Sequence, residues 1–498
     1  MASHRCRGLL SIAGVAVLGS VIAACGSPGT SGSTSSSAAS AAASAAAPTY
    51  NVNVNDAAGA TGGYVFFNEG TSPASAVVGQ RSHDERRASS RVVIADKKGR
   101  VVWSRTAPPG QSMADLQVQQ FHGKPVLTWW QGNLASGQSG VDYIADEHYQ
   151  IIATIPAGPA GANIHEFRLT DNGEHAWITI FQPITADLTA VGGAKDGTMY
   201  DAVVQEIDVA TKKVLFDWHA SQHVPITDSF ISPKDTVDNS GGIYDPYHVN
   251  AISLAPDGHV VVSMRHTSTV YNLDPTTGAI DWQIGGKHSS FALGKGVQFS
   301  FQHDAEMPDA TTLRLFNNNS DGQTTNGASS IEWIHLDTAT HTTTLIRNQT
   351  HPGNVRATAM GNAQMLPNGD VFGSWGTGNH IAEFTPTGQM VYEVTLAPTG
   401  SYRAYYQPWT GEPTGVPEAV IGHDGMTIRA AWNGATRVTQ WRVLHGSTAA
   451  NLTPLTTVAW NGASTPITLP QKASGYYQIE ALDSAGKVIG RSVPLSAG

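Results

Sequence analysis

Charge is what this 498-residue chain has least of. Asp, Glu, Lys and Arg make up 14% of it, against roughly a quarter in ordinary soluble domains, and the balance is acidic at −10. An acidic body offers no electrostatic footing for nucleic acid or for an anionic membrane surface. Any anionic ligand would need a local positive site. Cysteine is nearly absent as well: Cys6 and Cys25 both precede the part that can fold. The body can therefore form no internal disulfide, no thiolate metal site and no cysteine nucleophile. Also missing are an apolar run of about 20 residues, the length that crosses a membrane, and any sustained helical periodicity. Glycine, by contrast, is plentiful at 52 residues. Few charges with many turn residues suit an extracytoplasmic β-protein.

The N-terminus reads MASHRCRGLLSIAGVAVLGSVIAAC, with Arg5 and Arg7 ahead of a short apolar run from Leu9 to Ala24. The run ends in small residues, so residues 1–24 read as a signal peptide rather than a spanning helix. Ile22-Ala23-Ala24-Cys25 is similar to a bacterial lipobox, in which Cys25 would become the lipidated first residue of the mature protein. An ordinary cleavage site beside an unrelated cysteine is the alternative. Residues 26–48 carry no charge and no large side chain. They cannot bury a core and read as a flexible tether, roughly 25–30 Å as a random coil. Residues 25–48 would thus hold the body outside the cytoplasm, attached to the cell membrane through lipid alone.

From about residue 60 a two-part phrase recurs. The first part is strand, Asp/Asn-Gly turn, strand, as in HEFRLTDNGEHAWITI (165–180), NAISLAPDGHVVVSMR (250–265) and NAQMLPNGDVFGSW (362–375). The second is strand, polar turn, strand, as in VVIADKKGRVVWS (92–104), VQEIDVATKKVLFDW (204–218) and VYNLDPTTGAIDW (270–282). Alternating strands around such turns are hairpins, and two hairpins make a four-stranded unit. Six second-part phrases occur between residues 92 and 394. The pattern predicts an all-β fold, a six-bladed β-propeller over residues 49–417. A β-sandwich array or a β-helix is the competing architecture. Residues 418–498 drop the phrase for short alternating strands and read as an immunoglobulin- or fibronectin-like β-sandwich with Trp432 and Trp441 in its core.

In a propeller the first strand of each blade lines the central channel. Three blades carry a histidine near that strand's start: His165, His248 and His303. Each alone could be a satisfied structural group; three at matching places point to a shared site. Arg265 ends the apolar strand VVVSM, where a guanidinium needs a partner or a cavity. Its fork suits sulfate, phosphate or carboxylate, and a salt bridge to Asp245 or Asp304 is the structural alternative. Tyr247, Phe301 and Trp375 could stack an aromatic ligand or simply pack the core.

The stretch YHVNAISLAPDGHVVVSMRHTSTVYNLDPTTGAIDWQIGGK, followed by FQHDAEM and LRLFNNN, resembles the bacterial arylsulfotransferase family. The shared pattern is H-x-N before a strand, S-x-R-H at its end, W-x-x-G-G, and Q-H-D. The earlier IHEFRLTDNG matches the family's upstream histidine segment, and the likeness covers most of residues 60–405. The resemblance implies sulfuryl transfer from an aryl sulfate to a phenol, independent of PAPS and of any cofactor or metal. It assigns His303 as the nucleophile that becomes sulfohistidine and Arg265 as the sulfuryl-binding cation. His248 and His165 would stabilise the transferring group or protonate the leaving phenolate. Asn250, His266, Tyr247 and Asn318 would bind substrate. The chain departs from family members that carry a sandwich before the propeller and a disulfide.

Other functions stay open. One is a non-catalytic lipoprotein whose propeller binds an extracellular ligand or partner. A quinone-dependent propeller dehydrogenase is disfavoured, because no carboxylate-rich cation site is visible in the sequence. Metal binding by the three histidines is a further alternative. The oligomeric state is not legible.

Overall fold

The computed structural model describes residues 50–70, 90–134, 139–235, 243–398 and 400–497. The expected signal peptide, Cys25 and the tether lie outside the described residues. No helix among the described residues is long and apolar enough to cross a membrane.

The described chain is almost entirely antiparallel strand. Between residues 51 and 407 the described chain makes six sheets in succession, each with four strands in line and the second and sixth each carrying one more. The second runs Ser112–Phe121, Lys124–Asn133, Ser139–Ala145 and Ile151–Pro156; the fourth runs Val249–Leu254, Val260–Met264, Thr269–Leu273 and Ile280–Gly285. The first-part phrases of the sequence form inner hairpins and the second-part phrases outer ones. Strand chemistry follows position. Val260–Met264 and Thr269–Leu273 are buried at every residue, as interior strands covered on both faces must be. Turn chemistry follows the phrase too. Gly173, in the Asn172-Gly173 turn, has φ of 90° and sits so close to Phe121 that a Cβ would lie 2.9 Å from its Cα. Only glycine meets both demands without strain.

Apolar clusters lie between neighbouring sheets and close a ring. Trp103, Leu116 and Trp129 join the first and second sheets; Trp130, Phe167 and Ile178 join the second and third. Trp177, Val262 and Tyr271 join the third and fourth, and Val261, Leu313 and Ile334 the fourth and fifth. Phe316, Trp333 and Trp375 join the fifth and sixth, and Phe67, Val93, Phe372 and Tyr392 the sixth and first. A closed ring of antiparallel sheets is the plan of a β-propeller. Two strands stitch the ring shut. Tyr405–Gln407, from after the sixth sheet, pairs with Tyr64–Glu69 of the first, and Asn51–Asn55 pairs with Met390–Thr395 of the sixth. The hairpin phrases give no sign of either strand.

The axis is marked by one buried guanidinium. Arg403 donates to Glu166 at 2.9 and 3.1 Å and to the Asn250 carbonyl at 3.1 Å, and lies 3.5 Å from both Asp115 and Asp304. Asp304 in turn accepts the Ala363 N–H at 2.8 Å. These residues sit at the inner edges of all six sheets. The sequence showed no carboxylate cluster. Folding makes one, and Arg403 rather than a metal cation fills its centre.

Residues 418–496 form two further sheets. They enclose a core with Trp441 fully buried, its Nε1 donating to Thr465 Oγ1 at 3.1 Å. Trp432 is only partly buried and donates to the Gly415 carbonyl at 3.0 Å. These sheets dock on the outer edge of the first sheet, where Ala463 N–H donates to the Val101 carbonyl at 2.6 Å and Gly434 N–H to the Val102 carbonyl at 2.9 Å.

Candidate functional site

The expected histidines sit at inner-strand starts. His303 opens the strand His303–Asp309, His248 immediately precedes Val249–Leu254, and His165 lies two residues ahead of Phe167–Thr170. His248 has φ of 54°, a conformation that costs a non-glycine residue about 1–3 kcal/mol and persists only where the surroundings enforce it. Here Asp245 enforces it: the carboxylate accepts the His248 backbone N–H at 3.0 Å and its Nδ1 at 2.5 Å.

Three imidazoles form a chain of contacts. The His165 and His248 rings lie 4.7 Å apart, and those of His248 and His266 4.5 Å. Arg265 stands beside them. One guanidinium nitrogen lies 2.7 Å from His266 Nε2, the other donates to the Thr358 carbonyl at 3.2 Å, and its plane sits 4.7 Å over Phe301. His303 joins through the same loop: Met360 N–H donates to its Nε2 at 3.2 Å. Phe181 packs against both His165 and His248, at 5.5 and 5.4 Å. His165, His266 and His303 are buried, whereas His248 and Arg265 keep some exposure and mark the way in.

Every one of these imidazoles is fixed in the same sense. Nδ1 of His165 faces Asn163 Oδ1, that of His248 the Asp245 carboxylate, that of His266 the Asp245 carbonyl at 2.7 Å, and that of His303 Asn318 Oδ1 at 2.7 Å. Asn318 cannot turn its amide around, because its Nδ2 already donates to the Ala357 and Met360 carbonyls at 2.9 Å each. An oxygen acceptor on Nδ1 places the proton there and leaves Nε2 as the basic nitrogen. Burial, together with Arg265, pushes His303 down to about 3. Burial likewise drives His165, His248 and His266 well below the ordinary imidazole range, with positive neighbours adding to it. All four are neutral near pH 7.

Arg265 and the histidines are thus brought together, and Asn318 joins them by orienting His303. Tyr247 points elsewhere, whereas Asn250 lies beside the cluster, its carbonyl accepting the same Tyr402 hydroxyl that donates to the His165 carbonyl. Tyr247 is fully buried in the core between the third and fourth sheets, its hydroxyl donating to the Val224 carbonyl at 2.9 Å. Asn250 ties strands together by donating to the Gln302 carbonyl at 2.7 Å. Trp375 packs in the core between the fifth and sixth sheets. Asp245, Asn163, Phe181 and the 357–360 loop were not among the expected site residues. Asp245 alone had a local signal, the D-x-x-H spacing to His248.

Asp245, His248 and His266 offer ligand atoms within 4.8 Å of one another, as a metal site would. However, the Arg265 guanidinium lies against His266, and its charge opposes a cation there. The cation suits an anion: Arg265 is one fixed positive charge stacked on Phe301, and the imidazole lone pairs beside it can take a proton or attack an electrophilic centre of that anion.

A family profile, Arylsulfotransferase (ASST), matches residues 117–397. No curated protein matches the chain significantly. Among solved structures, a protein of unknown function from Bacteroides caccae is similar at 13% identity and TM-score 0.41, over 69% of this chain and 98% of that one. The β-propeller domain of Myceliophteria thermophila Cps50 (Swd1) is similar at 11% identity and TM-score 0.33, over 64% and 96%. Identities and superpositions this low carry nothing about chemistry.

Proposed function

Since this chain belongs to the arylsulfotransferase family, we propose that it moves a sulfuryl group from an aryl sulfate to a phenol through a covalent intermediate on His303. The observation that carries this is the Asn318–His303 pair. It holds a neutral imidazole with its proton on Nδ1 and its lone pair on Nε2, next to a cation. In the first half-reaction the Nε2 lone pair attacks sulfur, an N–S bond forms, and the S–O bond to the aryl group breaks with its electrons leaving on the phenolate. Arg265 faces the sulfuryl oxygens, whose charge is what such a transfer must stabilise. The other imidazoles have their Nδ1 protons committed to protein oxygens and can only accept at Nε2, so the aryl group leaves as the unprotonated phenolate. In the second half-reaction a phenol oxygen attacks sulfur, the N–S electrons return to Nε2, and an imidazole Nε2 relays the phenol's proton to the departed phenolate or to water, leaving every imidazole neutral again.

One observation favours the alternative of a binding-only propeller: the His303 lone pair already accepts the Met360 N–H. At 3.2 Å this is a long hydrogen bond, and catalysis requires the substrate to displace it. The deciding experiment incubates residues 49–498 with 4-nitrophenyl sulfate and a phenol. Nitrophenolate release and a peptide carrying sulfated His303 are expected, and both vanish in His303→Ala. Wild-type protein that gives neither across a panel of aryl sulfates leaves only binding. We further propose that the protein is exported and held by lipid on Cys25; Cys25→Ser should release it from the membrane fraction, and retention there would refute the anchor.

A further inference from the structure

A cavity of about 630 Å³ opens between the second and third sheets. Its walls are the Gly158–Ala160 turn on one side and Ile180, Phe181, Gln182 and Tyr200 on the other. Among the described residues that line it there is no Asp, Glu, Lys, Arg or His. Its size is that of a small-molecule site, and its lining is mainly aromatic and aliphatic, with the amides of Gln182 and Gln205 and the Ser139 hydroxyl, which already donates to the Ala160 carbonyl at 2.5 Å.

Two walls of this cavity are also walls of the imidazole cluster. Phe181 lines it and packs against His165 and His248. Tyr200 lines it, lies 5.8 Å from Phe181, and its backbone N–H donates to the Tyr244 carbonyl at 2.7 Å, one residue from the Asp245 that holds His248. The cavity thus adjoins the proposed transfer site across one phenyl ring. Polar and charged groups cluster on the histidine side, apolar ones on the other. A ligand with an anionic or phenolic end and an apolar aromatic body matches that division.

We propose that this groove is the subsite for the body of an extended aromatic substrate, a phenol or aryl sulfate with a second ring beyond the reacting one. The inference rests on the sulfuryl-transfer reading for its orientation but is tested by binding alone. The probes are phenol and 4-phenylphenol, titrated by calorimetry without any sulfate donor. Wild-type protein is expected to bind 4-phenylphenol at least roughly tenfold more tightly than phenol, the scale on which apolar pockets discriminate. Ala160→Trp, which fills the groove, should remove that difference; if it fails to fold, Gln182→Trp from the other wall serves the same purpose. Equal affinities in wild type, or an unchanged preference in a folded variant, overturn the subsite. Because no turnover is needed, a preference found in a protein that transfers no sulfuryl group would sink the catalytic reading and leave the groove standing.

Discussion

Replacing Arg403 by Met removes the cation that marks the propeller axis while keeping an unbranched side chain of similar length. Glu166, Asp115 and Asp304 surround that guanidinium at 2.9 to 3.5 Å, and all four side chains are almost fully buried. Unpairing buried carboxylates costs about 3–5 kcal/mol, a large share of the net stability of a folded domain. The effect should depend on pH, and its sign can be worked out. Even with Arg403 present, burial holds Asp115 at about 7 and Asp304 at about 6. Both lie above the ordinary Asp value, so the folded protein binds more protons than the unfolded chain and loses stability as pH rises toward these values. Without the guanidinium both acids move higher still. The deficit of Arg403→Met should therefore be greatest at about pH 8 and shrink toward pH 5, where protonation relieves the repulsion. Thermal unfolding of both proteins across that range measures it. A variant as stable as wild type at pH 8, or a deficit that ignores pH, would refute the axial role assigned to this residue.

Arg265→Ala should lower kcat/KM for 4-nitrophenyl sulfate by about 10²–10³-fold, the usual cost of losing one transition-state charge contact. Arg265→Lys should restore only part, since an ammonium cannot reproduce the planar stack on Phe301; full rescue would show that charge alone suffices. The pH profile of kcat/KM should show no acid limb near the ordinary imidazole value, because His303 stays neutral down to about 3; a limb at about 6.5 would mean that a solvated imidazole governs the rate. Trp441→Ala should cost about 3–5 kcal/mol within the C-terminal sheets, seen as faster proteolysis after residue 417, and unaltered proteolysis would count against its place in their core.

Much of the ring was legible because hairpins are local. The Asn172-Gly173 and Asp257-Gly258 turns announce their own strand pairs, and a buried strand such as Val260–Met264 is apolar throughout. The closing strands were not legible. Asn51–Asn55 reads as polar repetition and Tyr405–Gln407 is only three residues long, and each pairs with a strand more than 300 positions away. The site divides the same way. Histidines ahead of inner strands could be found from their place in the phrase. Tyr247 sits one residue from His248 yet points into the core, because a local motif does not reveal which way a side chain faces. Arg403 gave no local signal: its carboxylates come from three other sheets and meet only in the folded ring.

The double seam also sets the order in which this protein can become itself. Neither join exists until both extremities of the circle are at hand. A chain still being synthesised therefore remains an open fan of sheets until Tyr405 to Gln407 reach the first of them. Asn163, His303 and Arg403 acquire their mutual positions only at that closing step. Any product cut short before residue 405 would lack the assembled pocket as well as the ring, and its two bare rims would be free to pair with a neighbouring chain.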